Sequence, residues 1–552
     1  MALWCPARYI REMPILIRGL TLRIGEPEAS LPERAARRLK VRCEDVRVWA
    51  VVRRALDARR HDELQFVYSV ELALTGSAKR ERNVVKRLGR NDVTLLGPEE
   101  TVDVQPGTVP LPERPIIVGF GPAGMFAGLM LASFGHNPLI LERGCDVIAR
   151  HRHVLRDFYR RRSFNAESNL LYGEGGAGTY SDGKLTTRLN DPRIRLILET
   201  FYQHGADPDI LIEGKPHIGS DKLPGICRRI RERIEALGGE VRFGARLDDV
   251  VVRDGVVSAL VVDGETIPCG PLLLGVGQSA RDTLRMLAGR GVAFETKPFQ
   301  LGVRIEHPQE MVDGWQYGAP CGRVHLPPAD YQFVAKGAGG AHGDVFSFCM
   351  CPGGQILPSN ESPGLIATNG ASRARRDSPF ANSGLVVTLD PVAVCPEARS
   401  DPLATLTFLE RLERTAYRLT GESYRVPAQR ADDFLAGRLS DGQLATSYPL
   451  GGQWTDLRNI IPPFLADAIA RGLAQLERRR PGFAGSDAVI TAPETRASGP
   501  VRMTRDATSR QSVAVRNLYP VGEGAGYAGG IISAAVDGLK TAEKIIRRYA
   551  PF

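Results

Sequence analysis

Alternating hydrophobic and polar positions in the first hundred residues predict a small α/β unit. Segments 14–24, 46–52 and 64–74 read as strands, since they are rich in β-branched and aromatic residues. Segment 31–41 places apolar side chains at helical spacing between the first two strands. The order β-α-β-β is typical of a ferredoxin-like unit. We therefore predict a small N-terminal α/β domain over 1–105.

The pattern changes after a polar, proline-bearing linker. Residues 115–144 run from a buried strand through a glycine turn into an apolar helix and a second strand, and 513–548 repeat strand, glycine-rich turn and helix. We therefore predict one doubly wound α/β domain that is closed by distant segments, with a mixed α+β domain inserted between them. The linker, the doubly wound domain and the inserted domain are predicted at 106–114, at 113–292 with 486–552, and at 293–485.

Composition restricts the class of protein without identifying it. Hydrophobic residues make up 43% and charged residues 24% of the 552 residues, which excludes global disorder, and no apolar run is long enough to predict a membrane span. The nine cysteines are scattered without a CxxC pair, and the histidines form no metal-binding pattern, so we expect a cytoplasmic protein without a metal site. The net charge of +9 and a basic run at 79–90 are more typical of a solvated surface than of a nucleic-acid site.

The strongest chemical signal is the sequence GFGPAG at 119–124, placed between a buried strand and an apolar helix. This is the GxGxxG pattern of a dinucleotide-binding βαβ unit. Gly119 permits the tight turn, Gly121 lets the backbone approach a pyrophosphate together with the neighbouring Pro122 and Ala123, and Gly124 allows close helix–strand packing. Glu142 ends the second strand about 20 residues on, where it can accept hydrogen bonds from a ribose and disfavour NADP.

A distal segment indicates which dinucleotide is bound. Residues 517–523 read as a short strand that ends in Gly522-Glu523, and a small-residue helix follows. At this point the chain resembles the flavoproteins that carry two dinucleotide-type folds. The resemblance implies FAD, with Glu523 on a ribityl hydroxyl and the helix N-terminus at the flavin edge. It also assigns flavin-edge and domain-closing positions, which are Gly529, Gly530, Ile531, Gly275 and Gly277.

The glycine-rich loop at 165–185 and several later segments narrow the resemblance. These segments are 298–308, 348–354, 368–376, 493–502 and 522–530. Together they resemble bacterial FAD-dependent dehydrogenases of the NAD(P)/FAD-dependent oxidoreductase superfamily, with a glutathione-reductase-like FAD fold and an N-terminal βαββ domain. By this resemblance the loop wraps the flavin and pyrophosphate, Lys184 stabilises a reduced anionic flavin, and Arg143 faces adenosine or pyrophosphate. The remaining loop positions assigned to the cofactor are Gly175, Gly176, Ala177, Gly178, Ser181 and Asp182.

Candidates for substrate chemistry each keep a structural alternative. Arg304 and Glu306 share a strand face and would suit a carboxylate clamp, and His307 would suit a general acid or base. The alternative is an Arg–Glu pair beside a capped histidine. Glu494 and Arg496 precede the flavin-edge strand and are candidates to face the substrate.

The motif Cys349-Met350-Cys351 is open between a dithiol relay to the flavin and ordinary packing, which is the more common use of buried cysteine.

The combined motifs predict an FAD-dependent oxidoreductase that moves a hydride between flavin N5 and an organic substrate. FAD is expected to be non-covalent. Only one complete glycine fingerprint occurs, so NAD(P)H approaches transiently or electrons come from a protein or the substrate. An RNA-modifying or RNA-binding flavoprotein is the alternative, motivated by the basic charge and the added N-terminal domain.

Overall fold

The computed structural model describes residues 15–61, 63–97, 102–318 and 326–552. Its N-terminal unit is an antiparallel four-stranded sheet in the order β2-β3-β1-β4, against which two helices pack. The elements are β1 (Ile15–Arg23), α1 (Leu31–Leu39), β2 (Val46–Asp57), β3 (Gln65–Leu74), α2 (Ala78–Leu88) and β4 (Val93–Leu95). This order is the ferredoxin-like arrangement, and it includes a helix and a strand that the sequence pattern did not predict. Residues 1–14 and 98–101 of the predicted domain lie outside the described residues.

The unpredicted helix α2 coincides with the basic run. Its polar face carries the lysines and arginines, whereas Val84 packs into the core and Glu81 is buried. The Glu81 carboxylate accepts the backbone N–H of Leu74 at 2.8 Å. Arg80 forms an ion pair with Asp45 at 2.8 Å. Part of the basic charge is therefore used inside this unit.

The second part of the chain supplies most of a parallel sheet and all of a three-stranded antiparallel sheet. Its strands are β5 (Ile116–Val118), β6 (Leu139–Glu142), β7 (Glu240–Phe243), β8 (Leu247–Arg253), β9 (Val256–Val262), β10 (Glu265–Pro268), β11 (Leu272–Leu274) and β12 (Phe294–Thr296). Its helices are α3 (Pro122–Ser133), α4 (Val147–His151), α5 (Tyr159–Arg161), α6 (Arg193–Gln203), α7 (Leu223–Ala236) and α8 (Arg281–Gly289). A π-helical segment, Arg152–Phe158, joins α4 to α5.

The third part of the chain contains a seven-stranded sheet and a separate two-stranded sheet. Its strands are β13 (Phe299–Pro308), β14 (Val334–Gly340), β15 (Gly343–Cys351), β16 (Gly354–Pro358), β17 (Thr368–Ser372), β18 (Phe380–Leu389), β19 (Val426–Arg430), β20 (Gly452–Trp454) and β21 (Val489–Glu494). Its helices are α9 (Gln309–Tyr317), α10 (Pro391–Val394), α11 (Ala404–Leu419), α12 (Ala431–Ala436) and α13 (Pro463–Arg479). The strand order is β14-β15-β18-β13-β21-β19-β20, and β16 pairs separately with β17.

The chain then returns to the parallel sheet through β22 (Val501–Met503), β23 (Leu518–Pro520) and α14 (Ile531–Arg548). The parallel order is β23-β11-β5-β6-β7, so the direction of winding reverses between β5 and β11. The strand β21 lies between β13 and β19 of the larger sheet. The sequence-based boundary at 486 therefore falls too early at this strand, because an apolar strand shows no sign of which sheet it joins.

The two faces of the parallel sheet are covered differently. One face packs against helices α3, α6, α7 and α14 through alternate residues such as Ile117 and Leu273. The other face packs against the antiparallel β8–β10 sheet and α8 through residues such as Ile116 and Leu272. The α/β class with a Rossmann-type parallel sheet is confirmed, although a small β-sheet replaces most of the helical cover on the second face.

Within the part of the chain that the structure describes, no helix has the length and apolar character needed to cross a membrane.

Candidate functional site

A cavity of about 490 Å³ lies where β5, β11 and β23 end, between the parallel and seven-stranded sheets. Ligands of open α/β sheets bind at this switch point. The cavity brings together nearly all of the predicted cofactor residues, although they are hundreds of positions apart. Those that line it are Gly119, Gly121, Pro122, Ala123, Glu142, Arg143, Gly176, Ala177, Gly178, Ser181, Asp182, Lys184, Gly275, Gly277, Gly522, Glu523, Gly529, Gly530 and Ile531.

The glycine turn before α3 has the geometry that its sequence predicts. Gly119 adopts a φ of +96°, and a Cβ there would lie 2.4 Å from the carbonyl oxygen of Gly275. Gly124 does not line the cavity. It packs against the turn instead, where a Cβ would lie 2.0 Å from the carbonyl oxygen of Gly119. No side chain caps the helix at Gly121, so the N-terminus of α3 offers backbone N–H groups to an anion.

Glu142 is buried and organises the loops around this turn. Its carboxylate accepts backbone N–H groups from Phe120 at 2.9 Å, Gly144 at 2.9 Å and Gly173 at 2.8 Å. A carboxylate has about four acceptor sites, so roughly one remains for a ribose hydroxyl. Glu142 therefore shapes the cavity as well as facing it, which the sequence pattern did not predict.

Arg143 lines the same end of the cavity but is held by protein partners. It donates to both carboxylate oxygens of Asp282 at 3.0 Å and to Glu167 at 2.9 Å. Its guanidinium lies 4.2 Å from the centre of the Tyr172 ring. Because the charge of Arg143 is paired with these carboxylates, its guanidinium can contact a ligand by stacking rather than as an unpaired cation.

The loop from 175 to 184 approaches the glycine turn closely. A Cβ at Gly176 would lie 2.9 Å from the Cα of Gly121, so only glycine fits. Gly175 is outside the cavity and packs instead against Thr179 and Cys227. The Ser181 hydroxyl closes the following turn by donating to the carbonyl of Gly178 at 2.7 Å.

Asp182 and Lys184 form a charged cluster at the end of this loop. The buried Asp182 carboxylate pairs with Lys184 and with Arg376, each at 3.0 Å. Burial opposes ionisation, but these two cations lower the pKa of Asp182 to about 2. Burial would also lower the pKa of Lys184, whereas Cys351, Cys349 and Asp182 together raise it above the ordinary lysine value. Lys184 therefore remains a cation at the cavity wall.

Glu523 lies at the opposite wall, beside the N-terminus of α14. Gln278 donates to its carboxylate at 2.8 Å and also to the carbonyl of Arg496 at 2.8 Å. Burial raises the pKa of Glu523 to about 7, although nearby Lys297 lowers it. Gly530 begins α14 without a side-chain cap, so this helix also directs its N-terminus at the cavity.

A buried ionic network fastens the two sheets together behind the cavity. Arg281 on α8 and Arg496 after β21 both donate to the Glu413 carboxylate on α11. Glu361 forms further ion pairs with Arg281 at 3.2 Å and with Arg496 at 3.1 Å. Burial would raise the pKa of Glu413, but the two arginines lower it, whereas burial raises the pKa of Glu361. Arg496 touches the cavity, yet most of its charge is used by this network.

Four predicted substrate residues do not line the cavity, and their polar groups are used within the seven-stranded sheet. Arg304 pairs with Glu494 at 2.7 Å, and both side chains are fully buried. Glu306 accepts the backbone N–H of Ser447 at 3.0 Å, and burial raises its pKa. The Nε2 atom of His307 hydrogen-bonds to the Phe483 carbonyl at 2.9 Å, and burial lowers the histidine pKa to about 4. Their roles are therefore structural, as in the alternative, but Arg304 pairs with Glu494 and not with Glu306 of its own strand.

The two cysteines of the CxC motif differ in position. Cys349 lines the cavity, whereas Cys351 is buried beside it with its Sγ 3.7 Å from Lys184 Nζ. Pairing between β15 and β18 shifts register between Phe348 and Cys351. Cys349 has a φ of +45°, so the motif is not a regular strand.

Several cavity residues were not predicted from the sequence. Gln278, Asn369 and Met350, which follows Cys349, line the wall of the cavity. Arg376 completes the charged cluster around Asp182. Gln278 directly follows the predicted Gly277, so its place after a strand end was the available signal. Met350 belongs to the seven-stranded sheet, Asn369 to β17 of the two-stranded sheet, and Arg376 to the segment between β17 and β18, so their approach to the glycine turn is a tertiary feature. Among the described residues, no cluster of three or more His, Cys, Asp or Glu side chains could hold a metal ion.

These features fit an elongated dinucleotide that carries a flavin. Two uncapped helix N-termini face one cavity, an acid stands at the ribose end, and a second acid stands beside α14. A Cβ at Gly277 or Gly529 would meet nothing within 4 Å, so the walls leave room for a ligand there. The fold and the cavity define a flavoprotein of the FAD-binding α/β class, and FAD is its cofactor.

Comparisons with known proteins identify the family to which the chain belongs. Residues 298–497 match the family described as FAD-dependent protein, C-terminal domain-like, and 15–73 match a domain of unknown function (DUF8436). An uncharacterized protein of Clostridium beijerinckii is 39% identical over 539 residues, covering 97% of this chain and 99% of that protein. The chain belongs to the same family as this clostridial protein.

Solved structures with similar folds are more distant. Glycine oxidase from Geobacillus kaustophilus is 11% identical with a TM-score of 0.35, over 79% of this chain and 95% of that chain. A geranylgeranyl bacteriochlorophyll reductase-like protein from Thermoplasma acidophilum is 11% identical with a TM-score of 0.32, over 79% of each chain.

Proposed function

We propose that the chain is an FAD-dependent oxidoreductase whose organic substrate binds on the side of the cavity that faces the seven-stranded sheet. The observation that carries the proposal is that the glycine turn, the 176–184 loop and the N-terminus of α14 meet residues of the seven-stranded sheet in one shared cavity. Bound FAD supplies hydride transfer at N5. Ser347 and Cys349 of the seven-stranded sheet and Asn369 of β17 form the remaining wall, where a small molecule would contact the flavin.

The protein's own groups have defined roles in this proposal. The N-terminus of α3 binds the pyrophosphate, and Glu142 holds the adenosine ribose. Glu523, positioned by Gln278, holds a ribityl hydroxyl. Lys184 and the N-terminus of α14 provide positive potential that favours the anionic reduced cofactor. The two packed sheets exclude water from the flavin.

An anaerobic visible spectrum of the purified protein tests the proposal. We expect flavin absorption that is retained after desalting and that decreases on addition of NADH or NADPH, or of a protein or substrate donor. Bleaching with one nucleotide identifies the donor. Protein that carries no flavin and takes up none from solution would refute the proposal.

The RNA-binding alternative gains no specific observation. The basic run forms α2, with no aromatic side chain between its charges for base stacking. It remains a prediction that a filter-binding assay at graded salt concentration tests.

A further inference from the structure

The motif Cys349-Met350-Cys351 has an unusual conformation at the cavity wall. Cys349 has a φ of +45°, a left-handed conformation that is unfavourable for a residue with a side chain. The irregular register of β15 coincides with the motif. Residues are held in such conformations where the surrounding structure determines them, and these positions cluster at functional sites.

The two thiols and one cation form a compact group. Both cysteines are free, and the Cys351 thiol donates to the Cys349 carbonyl at 3.3 Å. The direct interaction between the two thiols is the main cause that lowers the pKa of Cys349 and raises that of Cys351. Lys184 Nζ lies 3.7 Å from Cys351 Sγ and is anchored by Asp182 at 3.0 Å. A cysteine of lowered pKa beside a second thiol and a fixed cation is typical of reactive rather than inert cysteine.

Other buried cysteines lack this environment. Burial raises the pKa of Cys227 to about 12 and that of Cys269 to about 12. These two residues are typical of inert core cysteine, whereas Cys349 faces the cavity that receives FAD. Packing alone therefore does not account for the placement of the CxC pair.

We propose that Cys349 and Cys351 form a redox-active dithiol that exchanges two electrons with FAD bound in this cavity. This inference rests on the proposed function, because it requires FAD at this place. The Cys349 thiolate and the Cys351 thiol lose two electrons and one proton and form one S–S bond. Oxidised FAD gains the two electrons and the proton and becomes the anionic reduced form, so atoms and charge balance.

The conformation of the motif bears on the bond that the two cysteines would form. The left-handed φ of Cys349 and the register shift take the motif out of the regular strand, in which Cα atoms two residues apart lie about 6.4–6.8 Å from each other, at the upper end of the range that a disulfide spans. Lys184 stabilises the thiolate in one redox state and the anionic cofactor in the other.

The FAD-loaded protein tests the exchange with dithiothreitol as the electron source, without oxygen. We expect dithiothreitol to bleach the flavin of the wild type, and Cys349→Ser and Cys351→Ser each to lose this bleaching while retaining FAD and full reduction by dithionite. Cys43→Ser, which removes an exposed thiol in the N-terminal unit, is the matched control and should behave as the wild type.

A second readout detects the bond itself. Trypsin releases residues 337–373, which contain both cysteines of the motif and no other. After reoxidation of the flavin, this peptide should be lighter by two hydrogen atoms and resistant to alkylation, and after dithiothreitol it should carry two alkylated thiols. If FAD is retained but the peptide never forms the bond, or the serine variants bleach as the wild type does, the dithiol inference is refuted. Absence of FAD from every variant would instead refute the proposed function.

Discussion

The buried network between α8 and α11 permits a quantitative prediction for Glu413→Gln. The Glu413 carboxylate is fully buried and accepts four hydrogen bonds, two on each oxygen. Oε1 accepts from Arg281 at 2.9 Å and Thr495 at 2.6 Å, and Oε2 accepts from Arg281 at 3.1 Å and Arg496 at 3.0 Å. Glutamine keeps one oxygen and turns an NH₂ group towards two donors.

The expected loss follows from those two hydrogen bonds. Hydrogen bonds to charged groups contribute about 1.5–3 kcal/mol each, and breaking a buried ion pair costs about 3–5 kcal/mol. We therefore expect Glu413→Gln to lower the free energy of unfolding by about 3–5 kcal/mol. Urea titration followed by circular dichroism at neutral pH measures it.

Glu410→Gln on the same helix is the matched control. Glu410 is partly exposed and pairs with the exposed Arg285 at 2.9 Å. It also lies 3.7 Å from the buried Arg281 but accepts no hydrogen bond from it there, so its loss should cost at most about 1 kcal/mol. Because the arginines lower the pKa of Glu413, its contribution to stability is present above the ordinary glutamate pKa of 4.5 and is lost as pH falls through its folded-state pKa. Equal effects of the two substitutions at neutral pH would refute the network as a major source of stability.

Three further predictions address single positions. Gly119→Ala should abolish FAD retention or soluble expression, because its Cβ would meet the Gly275 carbonyl at 2.4 Å, whereas Gly289→Ala meets nothing within 4 Å and should bind FAD normally by absorption after desalting. The pKa of Glu523 is raised to about 7, so wild-type stability should decrease as pH rises from 4.5 through 7, and Glu523→Gln should remove this decrease in urea titrations; an unchanged pH slope would contradict it. The pKa of His307 is lowered to about 4, so wild-type stability should fall by about 3 kcal/mol as pH drops from 6.5 to about 4. His307→Phe should lack that fall, and parallel unfolding curves for the two proteins would show that the histidine is not buried in neutral form.

The cofactor side of the cavity was predictable because its requirements are local. Gly119 must adopt a positive φ, and the strand-turn-helix order around it can be read from neighbouring residues. The Gly522-Glu523 segment carries a similarly compact signal.

The substrate side depended on contacts that sequence spacing does not reveal. Arg304 and Glu494 are 190 residues apart, yet they neutralise each other inside the large sheet rather than meeting a ligand. The boundary at β21 was misplaced for the same reason, since pairing partners lie far along the chain. The conformation of Cys349 depends on a register shift that its own tripeptide does not encode.

The edge strand β23 has a consequence for the order of folding. It pairs with β11, and the contact that it brings to the cavity, between Gln278 and Glu523, joins residues 245 positions apart. Contacts between residues so far apart form late, because the long loop between them must close first. The N-terminal ferredoxin-like unit is built from shorter-range pairings, so we expect it to fold before the cavity wall that contains Glu523 and Gly530. Retention of FAD therefore reports on the last long-range step of folding.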